Sequence, residues 1–294
     1  MTIPPKTALP TRTILLNASS LKFSHCQRRY NYIVCEGLQS GDYHEALVFG
    51  KAVHKYAEHM LKGGEPAAGL NLAMGAYSGL DTARLAKACM AMPSHLVTPY
   101  VFEGKPYVEH KFKVYWRSVV YHEVQYDIYV CGTFDAVSMY SDGAIEITDW
   151  KTSRKWKRQD VFAGYRVSVQ MRFYLWAAWR FAHSIFDMTV ANQTHRANVF
   201  LRIGAVMLSA QPPTWVMGTP IMMAAADLQA FEDLLSEHLA QVVLPAWHNP
   251  QPTGMLNNTC EKCEFVNMCF AENDVAREQA RQQLKLVPYD PATF

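Results

Sequence analysis

"GTFDAVSMYSDGAIEITDWKTS", Gly132–Ser153, reads as two strands joined by a tight turn. Both halves are rich in β-branched and aromatic residues, and Ser141-Asp142-Gly143 between them has the chemistry of a turn. Residues two apart on a strand share a face. Asp149 and Lys151 therefore face one way, and pairing across the turn can bring Asp135 alongside. Carboxylates so placed repel and raise one another's pKa unless positive charge lies between them. A divalent cation supplies that charge; oxygen ligands suit magnesium or manganese, with the Lys151 ammonium standing next to the bound water. Such a set lends itself to metal-assisted phosphodiester hydrolysis. A lone D-x-K is more often a turn and an exposed strand end, so the surrounding chain has to decide.

Working outward, "YVEHKFKVYWRSVV" (107–120) alternates apolar and polar residues as a half-exposed strand does. With "VQYDIYVCGTFDAVSMY" (124–140) and "AIEITDWKT" (144–152) it makes a three-strand antiparallel meander. A long helix over Val161–Phe186, a strand in "RANVFLRIGAVML" (196–208) and an amphipathic helix over Ala225–Trp247 follow. Upstream, residues 1–18 read as an irregular arm and Ser19–Leu38 as a compact helix with serines at its start. His44–Leu61 is helical in period, with Val53, Tyr56, Ala57, Met60 and Leu61 on one face, and one or two helices fill 66–91. The order is that of an α/β layered fold, expected as a single domain over 1–294.

Half of the 294 residues are hydrophobic and 18% are charged, ample for a sizeable core. A formal charge of +2 leaves any nucleic-acid footprint to local patches. One such patch is "KTSRKWKRQD" (Lys151–Asp160), where Arg154, Lys155, Lys157 and Arg158 surround Trp156. Basic residues around an aromatic suit phosphate neutralisation and base stacking; the plainer reading is a solvated loop. No run approaches the roughly 20 apolar residues of a membrane span, and no signal peptide is evident, so a cytoplasmic protein with reduced thiols is expected. Seven cysteines, three of them in "NNTCEKCEFVNMCF" (Asn257–Phe270), then read as metal ligands plus buried thiols. Cys260, Cys263 and Cys269 lack a fourth thiolate nearby in sequence; four thiolates could hold tetrahedral zinc or an iron–sulfur cluster. Cys26, Cys35, Cys89 and Cys131 are the candidates for the fourth.

"GTFDAV" followed by "ITDWKTS" resembles the core of the PD-(D/E)xK nucleases, in the branch of the RecB nuclease domain and the CRISPR spacer-acquisition nucleases. "GKAVH" (Gly50–His54) resembles that branch's G-x-x-x-H element, "QMRFY" (Gln170–Tyr174) its Q-x-x-x-Y helix, and "SSLKFSHCQRRYNY" its N-terminal cysteine element. The elements occur in the family's order from about residue 19 to 270. One departure is Gln27, where the family often has proline after the first cysteine.

The resemblance implies a restriction-endonuclease-like core with added N-terminal helices and a C-terminal iron–sulfur region. It implies that His54, Asp135, Asp149 and the backbone carbonyl of Trp150 hold Mg2+ or Mn2+, with Lys151 as the catalytic lysine. Glu109 matches a strand glutamate found in part of the family, although Glu103 and Glu123 pattern almost as well. Gln170 and Tyr174 would position nucleic acid, with Arg28 as a further contact. Cys26 would join Cys260, Cys263 and Cys269 on a four-iron, four-sulfur cluster that clasps the chain, with 271–294 as a tail. The implied activity is a stand-alone DNA exonuclease acting on single-stranded or frayed ends in recombination, repair or phage DNA processing. No G-x-x-x-x-G-K-[ST] motor motif is present, so a helicase or recombination partner would act in trans. The rival readings are a catalytically silent DNA-end-binding scaffold and a zinc-stabilised interaction protein.

Overall fold

The structure is a computed structural model that describes residues 9–39, 45–77, 79, 81–93, 96–155, 157–186, 198–249 and 260–286. Its residues group into two compact units. One comprises Tyr43–Lys111 and Thr133–Gln229; the other comprises Met1–Asp42, Phe112–Gly132 and Ala230–Phe294. The mixed α/β architecture with a central sheet is consistent with the restriction-endonuclease-like core expected. Among the described residues no helix is long and apolar enough to cross a membrane.

The elements that position the site are α1 (Glu45–Leu61), β1 (Val108–Tyr121), β2 (Val124–Met139), β3 (Ile145–Ser153), α2 (Arg158–Arg166), α3 (Val169–Arg180), β4 (Val199–Met207) and β5 (Thr214–Met217). β1 pairs with β2, and the end of β2 runs antiparallel to β3, Ala136 facing Thr148 and Met139 facing Ile145. Gly143, in the turn between them, has φ 82°, a left-handed conformation that glycine adopts without steric cost. β3 pairs in parallel with β4 from Ile145↔Val199 to Ser153↔Met207, and β4 turns back antiparallel onto β5.

β3 is buried over Ile145–Trp150, so its polar residues need partners. Glu146 has them in Arg202, 2.9 Å away, and the Tyr140 hydroxyl, which donates at 3.0 Å. Over this sheet α1 buries Phe49, Ala52, Val53, Tyr56 and Ala57, spaced three and four apart as one helical face requires. That face packs in one cluster with Leu85, Ala88, Trp150 and Trp215. The Trp150 ring meets Trp215 edge-on at 5.5 Å, and the Trp215 indole N–H donates to the Ala88 carbonyl at 2.8 Å. The close packing of Trp150 depends on Gly204, its register partner on β4. A Cβ at Gly204 would lie 2.1 Å from the Trp150 ring.

In the other unit, Thr11–Leu16 is a strand parallel to the start of β2, Thr11↔Gln125 through Leu16↔Val130. The irregular arm expected for residues 1–18 thus contains a strand, whose only apolar signal is the short "TILL" with Ile14 and Leu16 buried. The helix that follows starts at Asn17, which accepts from the Ser20 N–H at 2.7 Å while Ser20 Oγ accepts from the Asn17 N–H. It stops at Phe23 and resumes at Gln27, with Cys26 at the break in extended backbone. Near the other chain end, Asp274–Gln282 is a helix, and Lys285–Leu286 pairs with Leu38–Gln39. The part of the expected tail within the described residues is therefore structured, although its helix buries no residue.

The single helix expected over Val161–Phe186 is instead α2, α3 and a short turn at Ala182–Ile185. Ser168 adopts extended backbone (φ −68°, ψ 134°) as the N-cap of α3, and β-branched Val167 and Val169 flank it. Serine favours caps and β-branching disfavours helix interiors, so the chain breaks there.

Candidate metal centre

His54 projects from α1 toward the ends of β2 and β3. Its Nδ1 lies 3.4 Å from Asp135 Oδ1, and its Nε2 donates to the Trp150 carbonyl at 2.9 Å. The Trp150 backbone N–H in turn donates to Asp135 Oδ2 at 2.6 Å. The backbone of one β3 residue, Trp150, therefore fixes both the carboxylate and the imidazole. With a carbonyl at one ring nitrogen and a carboxylate at the other, the surroundings of His54 favour the imidazolium in the metal-free protein. Burial opposes its charge, but Asp135 outweighs burial and pushes the pKa up to about 9. Burial likewise works against the Asp135 charge, yet His54 and Lys151 hold that carboxyl below the usual range.

Glu109 completes a group with His54 and Asp135 whose ligand atoms all lie within 4.8 Å of one another. It sits in β1 with φ 51°, left-handed backbone that costs a non-glycine residue of order 1 kcal/mol. Such a local distortion re-aims a side chain out of the alternating pattern. Burial first, and Asp135 second, push the Glu109 carboxyl up to about 7. Glu103 and Glu123, the alternatives at sequence level, are exposed residues with positive φ outside this group.

Asp149 stands beside this group but spends its oxygens differently. Lys151 Nζ lies 2.6 Å from Oδ2, and the Gln170 amide of α3 donates to Oδ1 at 3.1 Å. Only 4% of the Asp149 side chain and 20% of the Lys151 side chain are exposed. Burial lifts the Asp149 pKa despite Lys151, while Asp149 and Asp135 raise Lys151 against its own burial. Gln170 also lies 3.4 Å from the Tyr174 hydroxyl, and the Tyr174 ring is held edge-on by Phe134 at 5.3 Å. Gln170 of the Q-x-x-x-Y pair therefore reaches the Asp149 carboxylate directly, and Tyr174 through Gln170. Tyr165 of α2, which the sequence did not single out, lies beside Lys151, whose Nζ is 5.9 Å from the ring centroid. The only sequence signal for it was an aromatic on the helix that follows β3.

These donors fit a hard divalent cation: two or three carboxylates, a carbonyl and one imidazole converge at a buried strand end. Of the basic loop, Arg154, Lys155 and Lys157 are exposed, as a phosphate contact requires; Trp156 and the Arg158 side chain lie outside the described residues.

The cysteines form a separate neighbourhood. Burial raises Cys269, and Cys26 and Cys260 raise it further; Cys263 is raised by burial and, more weakly, by Glu264 and Cys269. Arg28 donates to the Cys269 carbonyl at 3.5 Å, and Arg29 pairs with both oxygens of Glu264 at 3.0 and 3.1 Å. Cys35 points its thiol at the Ala246 carbonyl, 3.8 Å away, and burial pushes its pKa up to about 12. Cys89, in the other unit, is buried and likewise pushed up to about 12.

Among solved structures, one titled "Crystal structure of SSO0001" matches at 16% identity and a TM-score of 0.28. The match covers 56% of this chain and 60% of that one, and at that score the likeness carries no argument. No curated protein matches. The model of the PD-(D/E)XK nuclease superfamily, by contrast, matches residues 16–270, from the strand before the first cysteine helix to the last clustered cysteine. With most of its length inside that match, the chain belongs to the PD-(D/E)XK nuclease superfamily, a family of metal-dependent nucleases.

Proposed function

We propose that the chain is a Mg2+- or Mn2+-dependent deoxyribonuclease that hydrolyses DNA from single-stranded or frayed ends. The observation that carries this reading is the contact of Lys151 with Asp149 beside the His54–Glu109–Asp135 group. His54, Glu109, Asp135, Asp149 and the Trp150 carbonyl would hold the cation. When bound, the cation would polarise the scissile phosphate and ease attack by water at neutral pH. Asp135 stays aimed because the Trp150 N–H holds its second oxygen. His54 must release a ring proton before it can act as a ligand. Lys151 offers three N–H donors, so it can pass from Asp149 to a phosphoryl oxygen and steady the charge that develops there. Gln170 keeps Asp149 oriented while that exchange occurs. The exonucleolytic mode and a motor partner in trans rest on the resemblance alone.

A four-iron, four-sulfur cluster on Cys26, Cys260, Cys263 and Cys269 would serve as a structural clasp, since hydrolysis needs no redox step. Its support is the shared neighbourhood of these thiols. Tetrahedral zinc on the same four thiolates is the alternative.

Incubation of end-labelled single- and double-stranded DNA with Mg2+ or Mn2+ tests the activity, with Asp149→Ala and Lys151→Ala as controls. Equal cutting by wild type and either variant sinks the catalytic assignment. For the clasp, wild type prepared without oxygen should carry visible iron–sulfur absorbance and assayable iron, both lost in Cys260→Ser. A colourless, zinc-only protein refutes it.

A further inference from the structure

We propose that Tyr165 is a positioning residue whose ring holds the Lys151 ammonium at the reaction centre once Asp149 no longer binds it. The inference rests on the nuclease reading above and extends it to a residue outside the metal-ligand and lysine set. Lys151 has a flexible four-carbon stem, and its closest partner is Asp149 Oδ2 at 2.6 Å. A cation that takes that oxygen removes the partner and repels the ammonium. What then keeps Lys151 aimed has to be another group already beside it.

Tyr165 is such a group. The Lys151 Nζ lies 5.9 Å from its ring centroid, at the outer limit of a cation–π contact, and such contacts strengthen where water is excluded. The ring is held from behind. Val161 packs with Ala205 and Met207 of the sheet, and Phe162, Tyr165 and Val216 pack against that cluster. The Tyr165 carbonyl accepts from the Ser168 N–H at 3.0 Å, and Arg166 ties the end of α2 to the Thr219 hydroxyl at 2.8 Å. Gly218 lets Phe162 approach closely, because a Cβ there would lie 2.9 Å from the Phe162 ring. α2 thus presents an anchored aromatic ring to a lysine that has to change partners. A ring, unlike a second carboxylate, attracts the ammonium without competing for the cation or for its proton.

Two variants separate the ring from the volume and the hydroxyl. Tyr165→Phe keeps the π face; Tyr165→Leu keeps only the apolar packing. The first readout needs no activity: the rate at which an amine-acylating reagent labels Lys151 in protein saturated with Mn2+, followed by mass spectrometry. Tyr165→Leu should label several-fold faster than wild type, and Tyr165→Phe at the wild-type rate. The second is Mn2+-supported cleavage. Tyr165→Leu should lose about 5- to 30-fold in kcat with KM within twofold, and Tyr165→Phe should recover wild-type kcat. Unchanged labelling and kcat in Tyr165→Leu overturn the proposal. So does a Tyr165→Phe as impaired as Tyr165→Leu, or a loss confined to KM, which would make Tyr165 a substrate contact. If wild type cuts no DNA, the nuclease reading fails by itself, and the labelling comparison still decides what Tyr165 does for Lys151.

Discussion

Gly204→Ala puts the link between core packing and the metal centre to a direct test. The added Cβ would sit 2.1 and 2.3 Å from two carbons of the Trp150 ring and 3.1 Å from Met217 Sδ. Trp150 has little room to retreat: it is 2% exposed and Trp215 closes its edge. Either β3 and β4 part locally or the Trp150 backbone shifts. Overpacking of this kind costs about 1–3 kcal/mol, and backbone-adjacent ring contacts this short belong at the upper end. At about 3 kcal/mol, a unit of this size loses roughly 6–12 °C in Tm. The shift also disturbs the Trp150 backbone, which holds Asp135 through its N–H and His54 through its carbonyl, and misplacement by about 1 Å can cost of order 100-fold in rate. Thermal melts and Mn2+-supported DNA cleavage measure the two effects. Gly164→Ala is the control, because a Cβ there meets nothing within 4 Å and the change should stabilise the helix by about 0.4–1 kcal/mol. If Gly204→Ala melts within a degree or so of wild type and cuts at the wild-type rate, the argument from Trp150 is wrong.

The remaining predictions concern charge and strain. Mn2+ affinity, measured by calorimetry, should rise as pH goes from about 6.5 to about 9, because the cation competes with the His54 proton. In the metal-free protein, the stability from charged His54 is fully present below its unfolded pKa near 6.5 and is lost as pH rises through about 9. The Glu109 proton adds a like-signed loss as pH passes about 7. A metal-free stability that climbs between about pH 6.5 and 9 contradicts the His54 assignment, and one that climbs between about pH 4.5 and 7 contradicts the Glu109 one. Glu109→Gly should stabilise the metal-free protein by about 1 kcal/mol, by relieving its left-handed backbone, and weaken Mn2+ binding at least about tenfold. A variant that binds Mn2+ as tightly as wild type would remove Glu109 from the ligand set. Arg202→Met leaves Glu146 buried with only Tyr140, and should cost about 3 kcal/mol in urea melts.

How much of this was legible in the sequence depended on how local the cause was. β1, β2 and β3 were readable because alternation and turn residues are local signals, and their observed ends fall within a residue or two of the expected ones. The meeting of Asp135, Asp149 and Lys151 followed from strand parity and the turn. That His54 joins them came only from the family resemblance, since a lone histidine on a helix carries no address. The strand at Thr11–Leu16 was invisible because its partner lies more than a hundred residues on. The left-handed backbone at Glu109 left no mark either, because it is set by tertiary packing in place of propensity. Asp149 was expected among the cation ligands; its contacts with Lys151 and Gln170 in the metal-free protein were not legible. Tyr165 escaped notice because, as a helix aromatic, it reads as ordinary core.

The unit that carries Cys26 is assembled from both ends of the chain, with Tyr43–Lys111 and Thr133–Gln229 falling between its pieces. Asn31 donates to the Ala246 carbonyl at 2.9 Å, Glu36 pairs with Arg281 at 3.2 Å, and Leu38–Gln39 pairs with Lys285–Leu286. On a ribosome adding about 5–20 residues per second, the N-terminal segment waits roughly 10–50 s for these partners to be made. During that interval Tyr30, Ile33, Val34 and Leu38, all buried in the finished protein, lack the segment that helps cover them. A chain terminated just before Cys260 would keep Ala246 for Asn31 yet leave Leu38–Gln39 without its strand partner, so quality control would meet an incompletely paired N-terminal segment as well as a missing C-terminus.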